Sequence, residues 1–484
     1  MELPPVTVFS LAPLEPKRMT ENLSLRHDLN FDHDLVICAD RYSADAESSQ
    51  NVEEYWTALD LEIRFFTFCH EKIAQLPEYD QYYRRLLMAG QNRLPNLFMS
   101  VRAVLLGLLP HKEHQSVTYR LEPEAVTIEV LRGMCDLPEL TGWIARMLRR
   151  YCAERHHVAV DLMQNHLLRG AHEDDHSLFV TGLRKLMDIL EAMKIDVANN
   201  QLNYMRPVLI CHTVGLERAS HEHQMALGRY RNGHPKRWLQ YELDMMRIPH
   251  DTEPWAGLVC GILRVLLYED TDFPEVFFLD QERLTTLRGD MRNAIFHKIC
   301  QDVYFEHVII APRQDAMKEA ERLYLSLADI IEVNTWRKNV RLIAEETGRF
   351  ILMAEGQSVA HNPDLQQSLE RALYRELHIR SKEFERLAGI HFARLLPKTL
   401  SRTQEWLHYT PLEVADKALP GHGVYARPLV MERLAVGALS PHDSIFASRD
   451  PDEDVVSRIA HLSVLHWQTW GPLVYFSQDD SGEV

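Results

Sequence analysis

Between Tyr55 and Ile73 the apolar residues Trp56, Leu59, Ile63, Phe66 and Ile73 recur three, four or seven positions apart, a spacing that gathers them on one face of an α-helix. Pro77 ends the run, because proline lacks the N–H that the next turn needs. Comparable stripes occupy residues 94–109, 123–134, 137–151, 177–205, 255–268, 281–310, 315–331, 336–353 and 365–396. The two-residue alternation of a strand is confined to Glu275–Leu279, which reads equally well as a helix lead-in. The pattern predicts an all-α fold of long helices, a large irregular bundle or a loosely stacked helical array. No period of about 20 to 50 residues recurs, which argues against a regular solenoid.

Where the periodicity fails, the boundaries fall. Residues 1–50 carry Pro4, Pro5, Pro13 and Pro16 with many acids, and predict a mobile acidic N-terminal arm that Leu35–Cys38 can pin to the body. Residues 51–396 form the expected main helical domain. From Pro397 to Pro428 the rhythm is broken by Pro411, Pro420, Gly421 and Gly423, so 397–476 is expected as an irregular segment followed by a C-terminal helical subregion. That helix would open with Asp450 as N-cap, Pro451 in the first turn and Glu453 at N3, and would bury Val455, Ile459 and Leu462. Residues 477–484 read as an acidic tail.

Composition narrows the class without naming it. The chain has 484 residues, with 46% hydrophobic and 25% charged, a globular average that excludes collagen-like and largely disordered chains. Its 53 basic and 70 acidic residues leave a net charge of −17, which argues against general nucleic-acid binding. The seven cysteines are scattered and never spaced C-x-x-C, as expected of reduced thiols that are mostly small core residues. No secretory signal is visible, and the most apolar run, Ala256–Tyr268, is interrupted by Arg264 and too short to span a membrane. A cytoplasmic and/or nuclear protein without a cofactor is the expectation.

One catalytic string stands out. His172-Glu173-Asp174-Asp175-His176 matches H-E-x-x-H, which on a helix sets two imidazoles one turn apart for zinc with the glutamate as general base. Gly170 before it and the paired aspartates within it place the string in an acidic helix start instead, so a zinc-dependent hydrolase is the alternative and not the main reading. His156, His157 and Asp161 form a second polar group, read as solvated or locally bonded. Phosphate-cradling and nucleophile-elbow motifs do not occur. Arg229, Arg231, Lys236 and Arg237, with Trp238, make a basic aromatic loop suited to a docking partner or, as a further alternative, to phosphate or nucleic acid. The pairs Leu258-Val259, Ile262-Leu263 and Leu266-Leu267 have the spacing of helices that dock on kinase regulatory-subunit dimers, but Trp255, Val265 and Tyr268 extend the apolar area nearly all round and predict a core helix.

The segment 183–217 is the most informative. Its apolar stripe (Leu183, Leu186, Met187, Leu190, Met193, Val197) lies apart from a polar row of Asp196, Asn199, Asn203 and Arg206, a row that predicts a hydrogen-bonded clasp to another helix. Pro207 predicts a kink or an end near Met205. The run Leu190 to Leu202, followed by Met205-Arg206-Pro207-Val208-Leu209-Ile210, resembles the hallmark block of the T-complex protein eleven family, nearest to its fungal suppressor-of-kinase branch. A second block, Phe273 to Leu284, agrees, with Asp280 reading independently as an N-cap and Leu284, Leu287, Met291, Ile295, Ile299 and Val303 as a buried stripe. The resemblance covers most of residues 55–310 and weakens beyond.

What the resemblance implies is a helical, non-enzymatic signalling regulator or scaffold associated with cAMP and protein kinase A. Asp196, Asn199, Gln201, Arg206, Pro207, Asp280, Arg283 and Leu284 carry over as hallmark residues of structure or partner binding, none of them catalytic and none a metal ligand. Protein partners are expected, among them components of the cAMP-dependent kinase pathway.

Overall fold

The structure is a computed structural model that describes residues 3–32, 34–38, 46–75, 81, 93–131, 136–229, 233–245, 253–268, 273–309, 312–328, 330–331, 336–357, 362–418 and 451–475. Among them every regular element is helical and no strand is present. Glu275–Phe277 is a 3-10 turn leading into a helix. No helix among the described residues is long and apolar enough to cross a membrane. The chain divides into two compact units, one of Met1–Asn22 with Val36–Arg206, the other of Leu23–Leu35 with Pro207–Val484.

Where residues 1–50 are described, they are largely helical and partly buried, unlike the expected mobile arm. Helices α1 (Pro16–Glu21) and α2 (Leu23–Phe31) follow a 3-10 turn at Ala12–Leu14. Leu14, Met19, Leu29, Phe31, Leu35 and Ile37 are buried. Pro13 and Pro16 each stand in the first turn of a helix, where a missing N–H has no partner to lose. Prolines that look like breakers in the sequence act here as starters.

Unit one adds α3 (Ala46–Gln75), α4 (Arg93–Leu108), α5 (His111–Arg120), α6 (Pro123–Leu131), α7 (Leu137–Tyr151), α8 (His157–His172) and α9 (His176–Cys211) as far as Arg206. Helix α7 shows why these form: Asp136 caps it by accepting from the Glu139 N–H, and Leu140, Ile144, Met147 and Leu148 share one buried face. That helix packs on α8, which buries Val160, Met163 and Leu167. The last turn of α8 crosses the start of α9 closely enough that a Cβ on Gly170 would lie 2.5 Å from the Phe179 backbone nitrogen.

Pro207 does not end α9. The helix continues to Cys211, with Pro207 exposed inside it, and its lost backbone bond falls where the chain passes from unit one to unit two.

Unit two contains α2, α10 (Thr213–Ala226), α11 (Gly233–Met245), α12 (Pro254–Tyr268), α13 (Gln281–His307), α14 (Arg313–Leu327), α15 (Trp336–Ala354), α16 (Pro363–Glu376), α17 (Lys382–Trp406), α18 (Pro411–Lys417) and α19 (Pro451–Trp470). Helix α12 is the hub, packed on α11, α13, α17 and α19. Leu258, Val259, Ile262, Leu263, Leu266 and Leu267 are each fully buried, and burying a side chain of that size contributes about 1.5–3 kcal/mol. The paired residues are therefore core and not a docking face. Arg264, which interrupts the run, forks onto Glu242 of α11, with Nε 2.9 Å from Oε2.

The expected break at Pro397 is absent. Helix α17 runs through it, because Leu395, Thr399 and Thr403 are buried around the proline and packing overrides the local penalty. A capping box of Thr410 and Glu413 starts α18. The expected helix from Pro451 is present and buries Val455, Ile459 and Leu462. Asp450, residues 419–428 of the expected irregular stretch and the acidic tail lie outside the described residues.

Cys38, Cys69, Cys152, Cys211, Cys260 and Cys300 are free thiols. Cys69, Cys260 and Cys300 are core residues as expected, while Cys38 and Cys211 are exposed.

Candidate functional site

The polar row on α9 is a clasp, though not one between helices. Asp196 binds the turn that joins α7 to α8: its Oδ2 lies 2.9 Å from His156 Nε2, and Oδ1 accepts from Arg155. His156 thus pairs with Asp196 and not with Asp161, which takes Arg149; His157 Nε2 sits 3.2 Å from the Arg149 carbonyl oxygen. Asn199 holds an extended segment, its Oδ1 accepting from the Ile37 N–H at 2.7 Å and its Nδ2 donating to the Ile37 carbonyl at 3.0 Å. Arg206 donates to Asn203 at 3.1 Å on the same helix. The Gln201 Oε1 is buried with no hydrogen-bond partner. Burial pushes the Cys152 thiol up, with the Asp196 charge adding to the shift, so this Cys, His and Asp do not make an activated nucleophile.

The H-E-x-x-H string straddles two helices. His172 ends α8, Glu173 follows it as C-cap, Asp174 takes φ +55°, and His176 opens α9. Asp175 caps α9 by accepting from the Leu178 N–H at 3.0 Å. Both Glu173 oxygens accept from Arg169, at 3.0 and 3.2 Å. The two imidazoles therefore do not share one helix face, and among the described residues no group of His, Cys, Asp or Glu is placed to hold a metal ion.

The basic stretch is not one loop either. Arg231 lies outside the described residues, and Arg229 donates to Gln224 at 2.9 Å. Lys236 and Arg237 stand in the first turn of α11. Trp238 turns into unit two, edge-on to Phe277 at 5.9 Å and so close to Gly261 that a Cβ there would meet its ring at 2.6 Å. Its helical register makes it a packing residue.

The densest chemistry in unit two surrounds His27, which the sequence reading left inside the arm. The imidazole is buried between two carboxylates: Nδ1 lies 2.8 Å from Glu217 Oε1 on α10, and Nε2 lies 2.9 Å from Asp280 Oδ1 just before α13. Both ring nitrogens face acceptors, so both carry hydrogen and the ring is an imidazolium. Burial opposes that charge, but Asp280 and Glu217 outweigh it and raise the pKa to about 9. Asp280 is held below the usual carboxylate range: burial works against this, and the His27 imidazolium and Arg283 overcome it.

Neighbours complete the cluster. Thr469 of α19 donates to Glu217 Oε2 at 3.1 Å. Arg283 donates to Asp280 at 3.3 Å and to the Leu279 carbonyl at 2.9 Å, pairs with Asp28, and lies 4.5 Å over the Phe31 ring. Arg26 donates to the Leu209 carbonyl at 3.0 Å. His221 stacks on Trp470 at 4.2 Å, and His466 on Phe277 at 4.0 Å. Burial drives their pKa values down to about 4 and about 3, so both are neutral at pH 7. Asp280 occupies the expected N-cap position of α13 but makes no side-chain cap, because its carboxylate is taken by His27 and Arg283. Leu284 is buried one turn further on. The imidazolium fills the space between the Glu217 and Asp280 carboxylates.

Only Asp280 and Arg283 of this cluster were legible as hallmark residues. His27 and Glu217 carried no motif, since what joins them is 190 residues of intervening chain. Asn22 ahead of the apolar Leu25, Leu29 and Phe31 was the available signal for α2.

The family model described as T-complex protein 11 matches residues 25–479. The chain belongs to that family. The match reaches well beyond the 55–310 covered by the resemblance, and takes in α2 at one end and α19 at the other. Among curated T-complex protein 11 relatives, the chain is 27% identical over 368 residues to Protein SOK1 of Saccharomyces cerevisiae, covering 70% of this chain and 39% of the relative. It is 23% identical over 222 residues to the T-complex protein 11 homolog of Rattus norvegicus, covering 40% of this chain and 38% of that one. The human T-complex protein 11 homolog is 21% identical over 230 residues, covering 40% and 43%. The chain thus spans about two fifths of the length of these relatives. No solved structure matches it.

Proposed function

We propose that this protein is a non-enzymatic helical regulator or scaffold that works through protein contacts and modulates the cAMP-dependent protein kinase pathway. The observation that carries the reading is the family match over residues 25–479; its kinase-pathway part rests on the resemblance at Leu190–Ile210. Supporting it, three of the polar side chains that the sequence singles out are committed to internal partners. Asp196 holds a turn, Asn199 an extended segment, and Asp280 a buried histidine. Such groups fix the shape of a body that others bind. The proposed setting is the cytoplasm and/or the nucleus.

The test is calorimetric titration of the purified chain against the regulatory and the catalytic subunit of cAMP-dependent kinase, each with and without cAMP, alongside a phosphotransfer assay. Saturable binding to either subunit, or a changed phosphotransfer rate, is the expected result. Neither binding nor any effect on phosphotransfer under all four conditions would remove the kinase-pathway reading.

A further inference from the structure

Helix α2 groups with a different unit from the chain on either side of it. Leu23–Leu35 belongs to unit two, whereas Met1–Asn22 and Val36–Arg206 belong to unit one. Within unit two α2 packs on α10 and α18. Phe31 joins the principal apolar core, whose bulk comes from α12, α13, α15, α17 and α19. That core has large apolar cohesion of its own, so α2 is an accessory to it in apolar terms.

In electrostatic terms it is not. The charged and titratable groups around His27 are Arg26 and Asp28 on α2, Glu217 and His221 on α10, Asp280 and Arg283 at the start of α13, and His461 and His466 on α19. Of these, Glu217 and Asp280 touch the ring directly, and both are almost wholly buried. Removing the charge between them leaves the two buried carboxylates one positive charge short: Asp280 keeps Arg283, while Glu217 keeps the Thr469 hydroxyl and the attraction of Arg26, which is itself on α2. Removing one partner of a buried ion group is far more damaging than replacing the whole group by neutral ones, because a lone buried charge keeps its desolvation penalty. The site can escape that penalty locally, by letting α2 go and admitting water to the carboxylates.

We propose that residues 23–35 are a charge-operated latch, docked in unit two while His27 is an imidazolium and released as a segment when that single charge is lost, the rest of unit two remaining folded. The latch goes beyond the kinase-pathway reading and does not depend on it. Local release of this kind is the ordinary behaviour of segments whose hold is weaker than that of the core they dock on.

Hydrogen exchange read by mass spectrometry on the full chain at pH 7 tests it. In His27→Gln the amides of 24–35 are expected to exchange at least about tenfold faster, while those of 258–267 in α12 keep their protection. In the charge-balanced double variant His27→Gln, Glu217→Gln the protection of 24–35 is expected to return, because one positive and one negative charge leave together and Asp280 keeps Arg283. Unchanged protection of 24–35 in the single variant, simultaneous loss of 24–35 and 258–267, or failure of the double variant to recover would each overturn the latch. If the single variant does not fold, the wild-type chain decides: normalised to intrinsic exchange, 24–35 should lose protection as the pH rises through about 9 while 258–267 does not. Parallel behaviour of the two segments across that range would be equally fatal.

Discussion

His297 allows one buried group to be weighed nearly alone. It lies on α13, 2% exposed, with its ring 4.6 Å from that of Tyr324. Burial is the cause that pushes its pKa from 6.5 down to about 4. In the unfolded chain the imidazole takes up a proton as the pH falls through about 6.5; in the folded chain it does not until about 4. Between those values the unfolded state binds more protons, so stability falls as the pH falls, at about 1.4 kcal/mol per unit. At pH 4.5, two units below the unfolded value, the accumulated loss from this one group is about 2–3 kcal/mol. His297→Leu keeps an apolar side chain of similar reach and removes the titration. Urea unfolding of both proteins, followed by helical circular dichroism at pH 7.5 and 4.5, gives a difference of differences in which His221, His466 and every other group cancel. The variant should gain about 2–3 kcal/mol on the wild type between the two conditions. A gain below about 0.5 kcal/mol, the usual scatter of surface substitutions, would refute the reasoning.

Three further outcomes follow from particular contacts. Burial raises the Asp290 carboxyl to about 6, with Arg458 opposing and Asp454 adding; this group's own contribution to stability therefore falls as the pH rises from about 4 to 6, by at most about 3 kcal/mol and opposite in sign to that of His297. Asp290→Asn should remove that slope and unfold at higher urea than the wild type at pH 7, and an unchanged slope would count against the buried charge. Gly170→Ala should destabilise by about 1–3 kcal/mol or more, since its Cβ would meet the Phe179 backbone and not a yielding side chain; a thermal midpoint within error of the wild type would contradict the crossing of α8 and α9. Leu266→Ala should lower stability by about 2–5 kcal/mol as a core cavity, whereas a docking leucine would leave the urea midpoint in place.

Legibility tracked the range of each interaction. The amphipathic stripes are local, and α3, α7, α12, α13 and α19 stand close to where the periodicity puts them. Asp136 and Thr410 cap helices through contacts three residues long. The break expected at Pro397 and the end allowed at Pro207 do not occur, because a proline inside a helix loses one bond and one packing position, a local penalty that many buried neighbours can outweigh. The polar row at Asp196–Arg206 was correctly seen to need partners, but those partners, His156 and the Ile37 backbone, sit in a turn and an extended segment. Such elements have no periodicity by which to be found.

The order of residues along the chain settled an all-helical protein, the buried identity of α12 and the hallmark blocks that tie it to its family, because helix periodicity and short motifs are written over a few turns. Tertiary structure alone decided that the proline-rich start folds, that residues 23–35 join the unit built from Pro207 onward, and that His27 is a buried imidazolium. A charge in the interior is stable only where its countercharges converge. Glu217 and Asp280 lie 190 and 253 residues away from His27 along the chain, and their meeting is a property of the packed helices, not of any stretch of sequence.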